Sequence, residues 1–172
     1  VDQKPVGPIE EVTLVSNTMT YGESLSSLHF NEVTFVDAEE WNTEVSGTLA
    51  WSVPDGKPGA GERTAQWKFT PDNEEYAEYT DIVRFIVNKA DPDVVRVPEP
   101  EELYYSPEAV SNAVLNSGAN PGAVNGVDGK ALAGTWSWVE VNLIPTVGTG
   151  SHRIVFTPDD TANYNTVERT VT

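Results

Sequence analysis

Few residues of this chain could carry out acid–base or nucleophilic chemistry. His29 and His152 are the only histidines, and the chain has no cysteine. A hydrolytic triad needs a Ser, Thr or Cys beside a histidine and a carboxylate, and two histidines are too few for a typical histidine-based zinc site. Carboxylate pairs in the segments Ala38–Trp41 and Asp72–Tyr76 suggest glycoside hydrolysis only superficially, because such pairs are expected by chance at this acid content. We therefore predict no catalytic residues and no enzyme activity.

Asp91 and Asp93 are the candidates for binding a metal ion. They lie close together near the middle of the chain, where calcium could stiffen a junction between two β modules. Calcium takes about six to eight oxygen ligands, and two carboxylates supply too few of them. Asp72 or Glu74 would have to complete such a site. The prediction is therefore no cofactor, with calcium at Asp91 and Asp93 as the alternative.

Exposed aromatic rings are the other means by which this chain could bind a ligand. Sugars stack on such rings, and the chain has five tryptophans. Trp41 lies in an acidic segment that we expect to be exposed, and Tyr79 and Tyr104 have no counterpart in the repeat described below. These three residues are the predicted ligand-binding candidates. The other four tryptophans alternate with polar neighbours and are predicted to be core residues: Trp51, Trp67, Trp136 and Trp138.

The charge of the chain limits its partners. The formal net charge is −17, which repels nucleic-acid phosphates and anionic membranes. The apolar runs are too short to span a bilayer, so we expect no membrane insertion and no nucleic-acid partner. The start of the chain has no pattern of a signal peptide. We interpret the sequence as a monomeric fragment of a longer multidomain chain, with a glycan or a host or cell-surface protein as the candidate partner.

An internal repeat organises the elements that would position these residues. The segment Gly47–Trp51 (GTLAW) matches Gly134–Trp138 (GTWSW), and Phe69–Asp72 (FTPD) recurs as Phe156–Asp159. The repeat is roughly 85 residues long, so two copies fill the chain. We predict one module at 1–89 and a second at 90–172. The segment Asn88–Pro100, which holds three prolines, is the predicted stiff junction.

The patterning within each copy predicts β-strands. Alternation of apolar and polar residues in TLAWSV (48–53) and TAQWKFT (64–70) is typical of half-buried antiparallel strands. We predict an all-β fold of two small Ig-like β-sandwich modules. A β-grasp unit with one short helix, at Ser24–Leu28 or Pro107–Leu115, is the alternative. In the repeated FTPD phrase, the phenylalanine is predicted to enter the core, the proline to end the ladder and the aspartate to begin a turn.

These segments also resemble a known family. TYGESLSSL, GTLAWSV and the FTPD corner resemble the YGX-type repeats of secreted and surface-anchored bacterial proteins, which are called MBG-type modules and are grouped with bacterial Ig-like repeats. The resemblance covers almost the whole chain and is strongest in the last part of each copy. Copy two departs from it at Tyr105 and Ser106, where the family has Tyr-Gly. The resemblance implies an extracellular, non-catalytic module that occurs in tandem and has no fixed ligand.

The expected function follows from the repeat and the resemblance together. We expect a spacer or stalk module at the bacterial cell surface or in a secreted protein, which positions a neighbouring domain. A carbohydrate- or protein-binding adhesin module, with Trp41 in its ligand site, is the alternative.

Overall fold

The structure, a computed structural model, describes residues 2–103, 108–115 and 120–172. It is an all-β fold, as predicted, and forms two compact units, unit 1 (Val1–Asn88) and unit 2 (Lys89–Thr172). The strands of unit 1 are β1 (Val6–Pro8), β2 (Thr18–Thr20), β3 (Phe35–Asp37), β4 (Gly47–Trp51), β5 (Gly61–Pro71) and β6 (Tyr79–Asn88). The strands of unit 2 are β7 (Asp93–Arg96), β8 (Ala123–Asn125), β9 (Gly134–Trp138), β10 (His152–Pro158) and β11 (Val167–Val171).

Unit 1 contains a four-stranded sheet in the order β2-β6-β5-β4 and a two-stranded sheet of β1 and β3. Strands β4, β5 and β6 are antiparallel neighbours, whereas β2 pairs with the end of β6 in the parallel direction. Successive side chains of a strand point to opposite faces of a sheet. One face of β5 and β6 is therefore buried, and it carries Trp67, Phe69, Phe85 and Val87.

The core of unit 1 is formed by residues of both sheets. Phe35 of β3 stacks on Phe69 of β5 with ring centroids 3.8 Å apart, and it meets Trp67 edge-on at 6.1 Å. Val6 of β1 belongs to the same buried cluster. The edge-on pair stabilises the core beyond the area that it buries. The two sheets thus share one hydrophobic core.

Unit 2 is built in a similar way from shorter strands. Its three-stranded antiparallel sheet has the order β11-β10-β9, and β7 pairs with β8. The buried cluster combines Trp136, Ile154 and Phe156 of the larger sheet with Val124 of β8. Ile154 is fully buried, which places the middle of β10 at the centre of this core.

The predicted core tryptophans are buried in both units. Trp51 ends β4 and Trp138 ends β9, and their exposed fractions are 7% and 9%. Each indole N–H donates a 2.9 Å hydrogen bond to a backbone carbonyl, that of Leu28 in unit 1 and that of Ala113 in unit 2. A buried indole N–H usually has such an acceptor. These two hydrogen bonds therefore hold the segments at Leu28 and Ala113 against their tryptophans.

The glycines that begin β4 and β9 allow a ring to pack against the backbone. A Cβ at Gly47 would come closer than 3.0 Å to the ring of Phe69 and to the carbonyl oxygen of Thr70. Gly134 is crowded in the same way by the ring of Phe156. Only a residue without a side chain allows this approach, so the glycine of GTLAW and GTWSW is required by packing.

The FTPD phrase forms a corner, and most of its predicted roles are confirmed. Phe69 and Phe156 are each 3% exposed, and β5 and β10 end at Pro71 and Pro158. Both strands thus end at the proline of the phrase, although one further hydrogen bond to the neighbouring strand follows each proline.

The predicted turn residue of this corner is wrong by one position. The side chains of Asp72 and Asp159 were expected to begin the turn. Asn73 does so in unit 1, where its carboxamide oxygen accepts a 3.0 Å hydrogen bond from the amide of Glu75. Asp160 does so in unit 2. The amides of both aspartates instead extend the ladder to the neighbouring strand, so the corner begins one residue later.

The predicted short helices are single 3-10 turns. They span Leu25–Ser27 and Val110–Asn112, and one residue of each, Leu25 or Val110, is buried. Pro107, the predicted first residue of the second helix, lies outside the described residues. Three residues form one turn, so no helix in the described part of the chain has the length that the β-grasp alternative needs.

The segment Asn88–Pro100 differs from the stiff junction that its prolines suggest. Asn88 is the last residue of β6, and Ala90 already bridges Tyr164 in unit 2. Pro98 is fully buried and β7 occupies the middle of the segment. Prolines are compatible with positions beside β7, because they need to donate no hydrogen bond to its ladder there. Most of the segment therefore belongs to the fold of unit 2.

Candidate functional site

Two of the three aromatic residues that the sequence suggests as ligand contacts, Trp41 and Tyr79, lie among the described residues and differ in exposure. Trp41 lies in the turn after β3 and is 62% exposed. Tyr79 begins β6 and is half-buried, and its ring stacks on Trp67 with centroids 5.6 Å apart. Tyr104 lies outside the described residues. Of the two described rings, only that of Trp41 is largely open to solvent, so it is the one that a planar ligand could cover.

The two calcium candidates have structural partners. The carboxylate of Asp91 accepts a 2.8 Å hydrogen bond from the side-chain amide of Asn165, and Asp93 is paired with Asn125 between β7 and β8. The contact of Asp91 is through its side chain, whereas the pairing of Asp93 is between main-chain groups. Within the part of the chain that the structure describes, no three His, Cys, Asp or Glu residues come together as a metal site would require.

The two histidines belong to different units. His29 lies on the wall of a groove in unit 1. His152 begins β10, where its ring meets Trp138 edge-on at 6.3 Å.

Asp37 is a buried carboxylate that sequence analysis did not single out. It ends β3, its side chain is 1% exposed, and its Oδ1 accepts hydrogen bonds from the amides of Glu39 at 2.8 Å and Glu40 at 3.0 Å. Lys4 lies 3.7 Å from the other oxygen, and the hydroxyl of Tyr76 also stabilises the carboxylate. The available sequence signal was the segment DAEE (37–40), because an aspartate can accept hydrogen bonds from the main-chain amides two and three residues later.

These contacts shift two pKa values in opposite directions. The hydrogen bond from the Glu39 amide, which outweighs the effect of burial, lowers the pKa of Asp37 below 3.8. Burial, together with the negative charge of Asp37, raises the pKa of Tyr76 above 10.0. These contacts form a charged cluster, which we call the Asp37 clamp. It joins Lys4 near the start of the chain, β3 and Tyr76 after the FTPD corner. In unit 2, the hydroxyl of Tyr164 instead accepts a 3.0 Å hydrogen bond from the Val127 amide.

The Asp37 clamp predicts an acid-sensitive contribution to the stability of unit 1. Because the pKa of Asp37 is lower in the folded state, its contribution is present above pH 3.8 and is lost as the pH falls through the lowered value. Asp37→Asn should lower the melting temperature of unit 1 at pH 7, and the difference from the unsubstituted protein should shrink below pH 3.8. Melting of each variant from pH 7 to pH 2, resolved by unit with hydrogen exchange, measures this.

The matched control for this prediction is Asp128→Asn in unit 2. The pKa of Asp128 is also lowered, first by the Lys130 amide, but its side chain is 56% exposed and water screens it. The control should change stability little at either pH. A difference between Asp37→Asn and the unsubstituted protein that stays constant down to pH 2 would contradict the role of the Asp37 charge.

Parallel pairing occurs near the two ends of unit 1. Thr18, Met19 and Thr20 of β2 lie opposite Ile86, Val87 and Asn88 of β6. Two further backbone hydrogen bonds of 2.8 Å extend the pair, from Ile86 to Asn17 and from Tyr21 to Asn88. Strand β2 is therefore tied to the C-terminal end of the last strand of the unit.

A second parallel contact joins the start of each unit to its corner tyrosine. Lys4 bridges Tyr76 in unit 1, and Ala90 bridges Tyr164 in unit 2. Ala90 donates a 2.9 Å hydrogen bond to the carbonyl of Asn163 and accepts one of the same length from the amide of Asn165. The entering segment of each unit thus pairs in parallel with a late segment of the same unit.

A groove lies beside β4 in unit 1, and we call it the edge groove. Its volume is about 950 Å³, and β4 and the ring of Phe69 line one side. The chain from Leu28 to Phe35 lines the other side, where the ring of Phe30 lies 4.5 Å from that of Trp51. Glu10 and Glu32 add carboxylates to the groove wall.

Comparisons with known proteins leave the chain without an assigned relative. No protein-family model, no curated protein and no solved structure matches it. In the described residues, no helix has the length and apolar character that a membrane span requires.

Proposed function

We propose that the chain is a non-catalytic, load-bearing spacer in a bacterial secreted or surface protein. In this proposal, two tandem copies of one Ig-like sandwich module extend and position a neighbouring domain. The net charge of −17 supports it, because such a surface stays soluble and resists association with other copies. The sequence repeat and the shared packing of Gly47 and Gly134 under a phenylalanine ring also support it.

The observation that carries the proposal is the parallel pairing of β2 with the end of β6. Tension on the ends of unit 1 first loads Lys4 and β1, and once these have detached it pulls β2 toward its own N-terminal end and β6 toward its C-terminal end. Because the two strands run in the same direction, these forces slide one strand along the other. The hydrogen bonds lie across the direction of sliding and must break together, whereas a peeled hairpin loses them one at a time.

Force spectroscopy on the full chain tests this function. Pulling from the two ends should give two separate unfolding events, and each should release about 30 nm of chain, since a residue spans at most about 3.6 Å when extended. The rate of forced unfolding reports the barrier along the pulling direction. One event that releases both units at once would contradict the model of independent modules.

A second pulling direction serves as the matched control. The chain has no cysteine, so Ser46→Cys and Asp72→Cys provide specific attachment points at the open end of the β4–β5 pair. Pulling there peels the two strands apart one hydrogen bond at a time, so the force should be clearly lower than in the end-to-end experiment. Equal forces in the two directions would overturn the load-bearing role.

Recognition of a glycan or a cell-surface protein is the second candidate function, and the exposure of Trp41 favours it. The ring lies in an acidic turn with Glu39 and Glu40, away from the buried core. Titration of the intrinsic tryptophan fluorescence with a panel of soluble plant and mucin glycans separates the two functions. A saturable change that is absent from Trp41→Ala would replace the spacer by a binding module, and an unchanged spectrum would leave the spacer.

A further inference from the structure

Strand β4 is the edge of the four-stranded sheet and has β5 on one side only. The amide of Ser52 donates to the carbonyl of Gln66, and the amide of Asp72 donates to the carbonyl of Ser46. In an antiparallel pair, the residues that bond to the partner strand alternate with residues that bond away from it. The residues of β4 that direct their N–H and C=O groups away from β5 are therefore Gly47, Leu49 and Trp51.

These outward backbone groups have no hydrogen-bond partner among the residues that the structure describes. They face the edge groove, which Gly47, Leu49 and Trp51 also line. An unpaired strand edge is a template for another strand, and proteins commonly block such an edge with charge, a bulge or a covering segment. Here four of the five residues of β4, all but Thr48, line the groove, so a further strand can reach the edge.

The groove walls indicate the chemistry of the strand that would fit. Glu10 and Glu32 line the groove, and no lysine or arginine is found among its described lining residues. The apolar part of the lining includes Phe30, Leu49 and Phe69. A strand bound here would direct alternate side chains toward these apolar groups and would place the others near solvent and the carboxylates.

We propose that the edge groove of unit 1 binds an extended segment of another protein, in which apolar residues alternate with lysine or arginine. The segment adds to the sheet as a strand beside β4, main-chain hydrogen bonds supply affinity, and the side-chain alternation supplies specificity. A second copy of this chain is a poor occupant, because it carries 27 acidic against 10 basic residues and would bring like charge to the groove.

Synthetic octapeptides test the proposal against the full chain, with amide chemical shifts as the readout. A peptide that alternates Lys and Val should shift the amide signals of Gly47, Leu49 and Trp51 and should saturate. The peptide that alternates Glu and Val should bind at least about ten-fold more weakly, because like charges face each other. Equal binding of the two peptides, or no binding of the Lys–Val peptide, would overturn the proposal.

N-methylation of the peptide tests whether main-chain pairing holds it. One version carries N-methyl groups on its Val residues only, and the other on its Lys residues only. In a bound strand, only one of these two sets of N–H groups faces β4, the Val set for antiparallel and the Lys set for parallel addition. Loss of binding by one version alone supports strand addition, and retained binding by both would overturn it.

Two pairs of protein variants complete the test. Leu49→Pro removes an outward N–H from an edge strand, where proline is tolerated, and should abolish binding; Leu49→Ala keeps the N–H and should bind. Glu10→Gln with Glu32→Gln should weaken binding about three-fold or more. Glu62→Gln with Glu74→Gln changes the net charge equally and should bind as the unsubstituted protein does. Equal effects of the two double variants would contradict a role for the groove carboxylates.

Self-association is the remaining outcome of these experiments. If the signals of Gly47, Leu49 and Trp51 shift with protein concentration in the absence of peptide, the occupant is a second copy of the chain. That result would overturn the proposed heterologous partner.

Discussion

Replacing Phe69 by alanine is expected to lower the free energy of unfolding of unit 1 by about 3–5 kcal/mol. The side chain is 3% exposed, its ring stacks on Phe35 at 3.8 Å, and it fills the space above Gly47. Its removal leaves a cavity at the point where the two sheets of the unit meet. Few small domains have enough stability to absorb such a loss without populating the unfolded state.

The measurement for Phe69→Ala is native-state hydrogen exchange resolved by unit, because it reports the stability of each region separately. Unit 1 should lose protection while unit 2 retains it. Ile82→Ala is the matched control: Ile82 is 58% exposed on the outer face of β6, and its truncation should change stability by less than about 0.5 kcal/mol. Equal loss of protection in both units would show that they do not fold independently.

Gly47→Ala is expected to destabilise unit 1 by about 1–3 kcal/mol through overpacking. The added Cβ would lie closer than 3.0 Å to the Phe69 ring and to the carbonyl oxygen of Thr70. The ring is stacked on Phe35 and the carbonyl belongs to the ladder, so neither can move without loss of other contacts. Denaturant unfolding followed by unit-resolved hydrogen exchange gives the change.

Gly7→Ala is the matched control for this substitution, because it introduces the same methyl group into the same unit. No atom lies within 4 Å of a Cβ at Gly7, which is in β1. With no clash to offset it, the reduced entropy of the unfolded chain should stabilise unit 1 by about 0.4–1 kcal/mol. The two variants should thus differ in sign. A stabilising effect of both would show that the crowding at Gly47 relaxes freely.

The sequence predicted the elements whose pattern is local. Alternation in TAQWKFT places Trp67 and Phe69 on the buried face of β5, and the repeated phrase places the ends of β5 and β10 at Pro71 and Pro158. Both follow from properties of neighbouring residues, the period of a strand and the missing N–H of proline. The burial of Trp51 and Trp138 was predicted for the same reason.

The features that the sequence did not reveal depend on contacts between residues far apart along the chain. Val53 continues the alternation of β4, but it is 63% exposed because the strand ends at Trp51. The prolines of the segment Asn88–Pro100 indicate a connector, yet Pro98 is buried by the core of unit 2. The ring of Tyr79, whose role as a ligand contact stays a prediction, stacks on Trp67. Composition and periodicity do not contain such long-range packing.

The Asp37 cluster and the open edge of β4 were also hidden from sequence analysis. The partners of Asp37 lie both nearby, at Glu39 and Glu40, and far away, at Lys4 and Tyr76. The open edge of β4 depends on which strands pair with it, and pairing of distant strands is a property of topology. A pattern of alternating residues predicts that a strand exists, but it does not predict whether the strand has one neighbour or two.

The parallel pairing of β2 with the end of β6 also sets the timing of folding on the ribosome. The chain emerges N-terminus first at about 5–20 residues per second, so the partner of Thr18 follows several seconds later. Until Ile86–Asn88 appear, β2 has no strand to join. In unit 2, Ala90 likewise cannot pair until Tyr164 has been synthesised. Each unit therefore cannot complete its fold during most of its synthesis, and it can do so only when the last part of the unit has emerged.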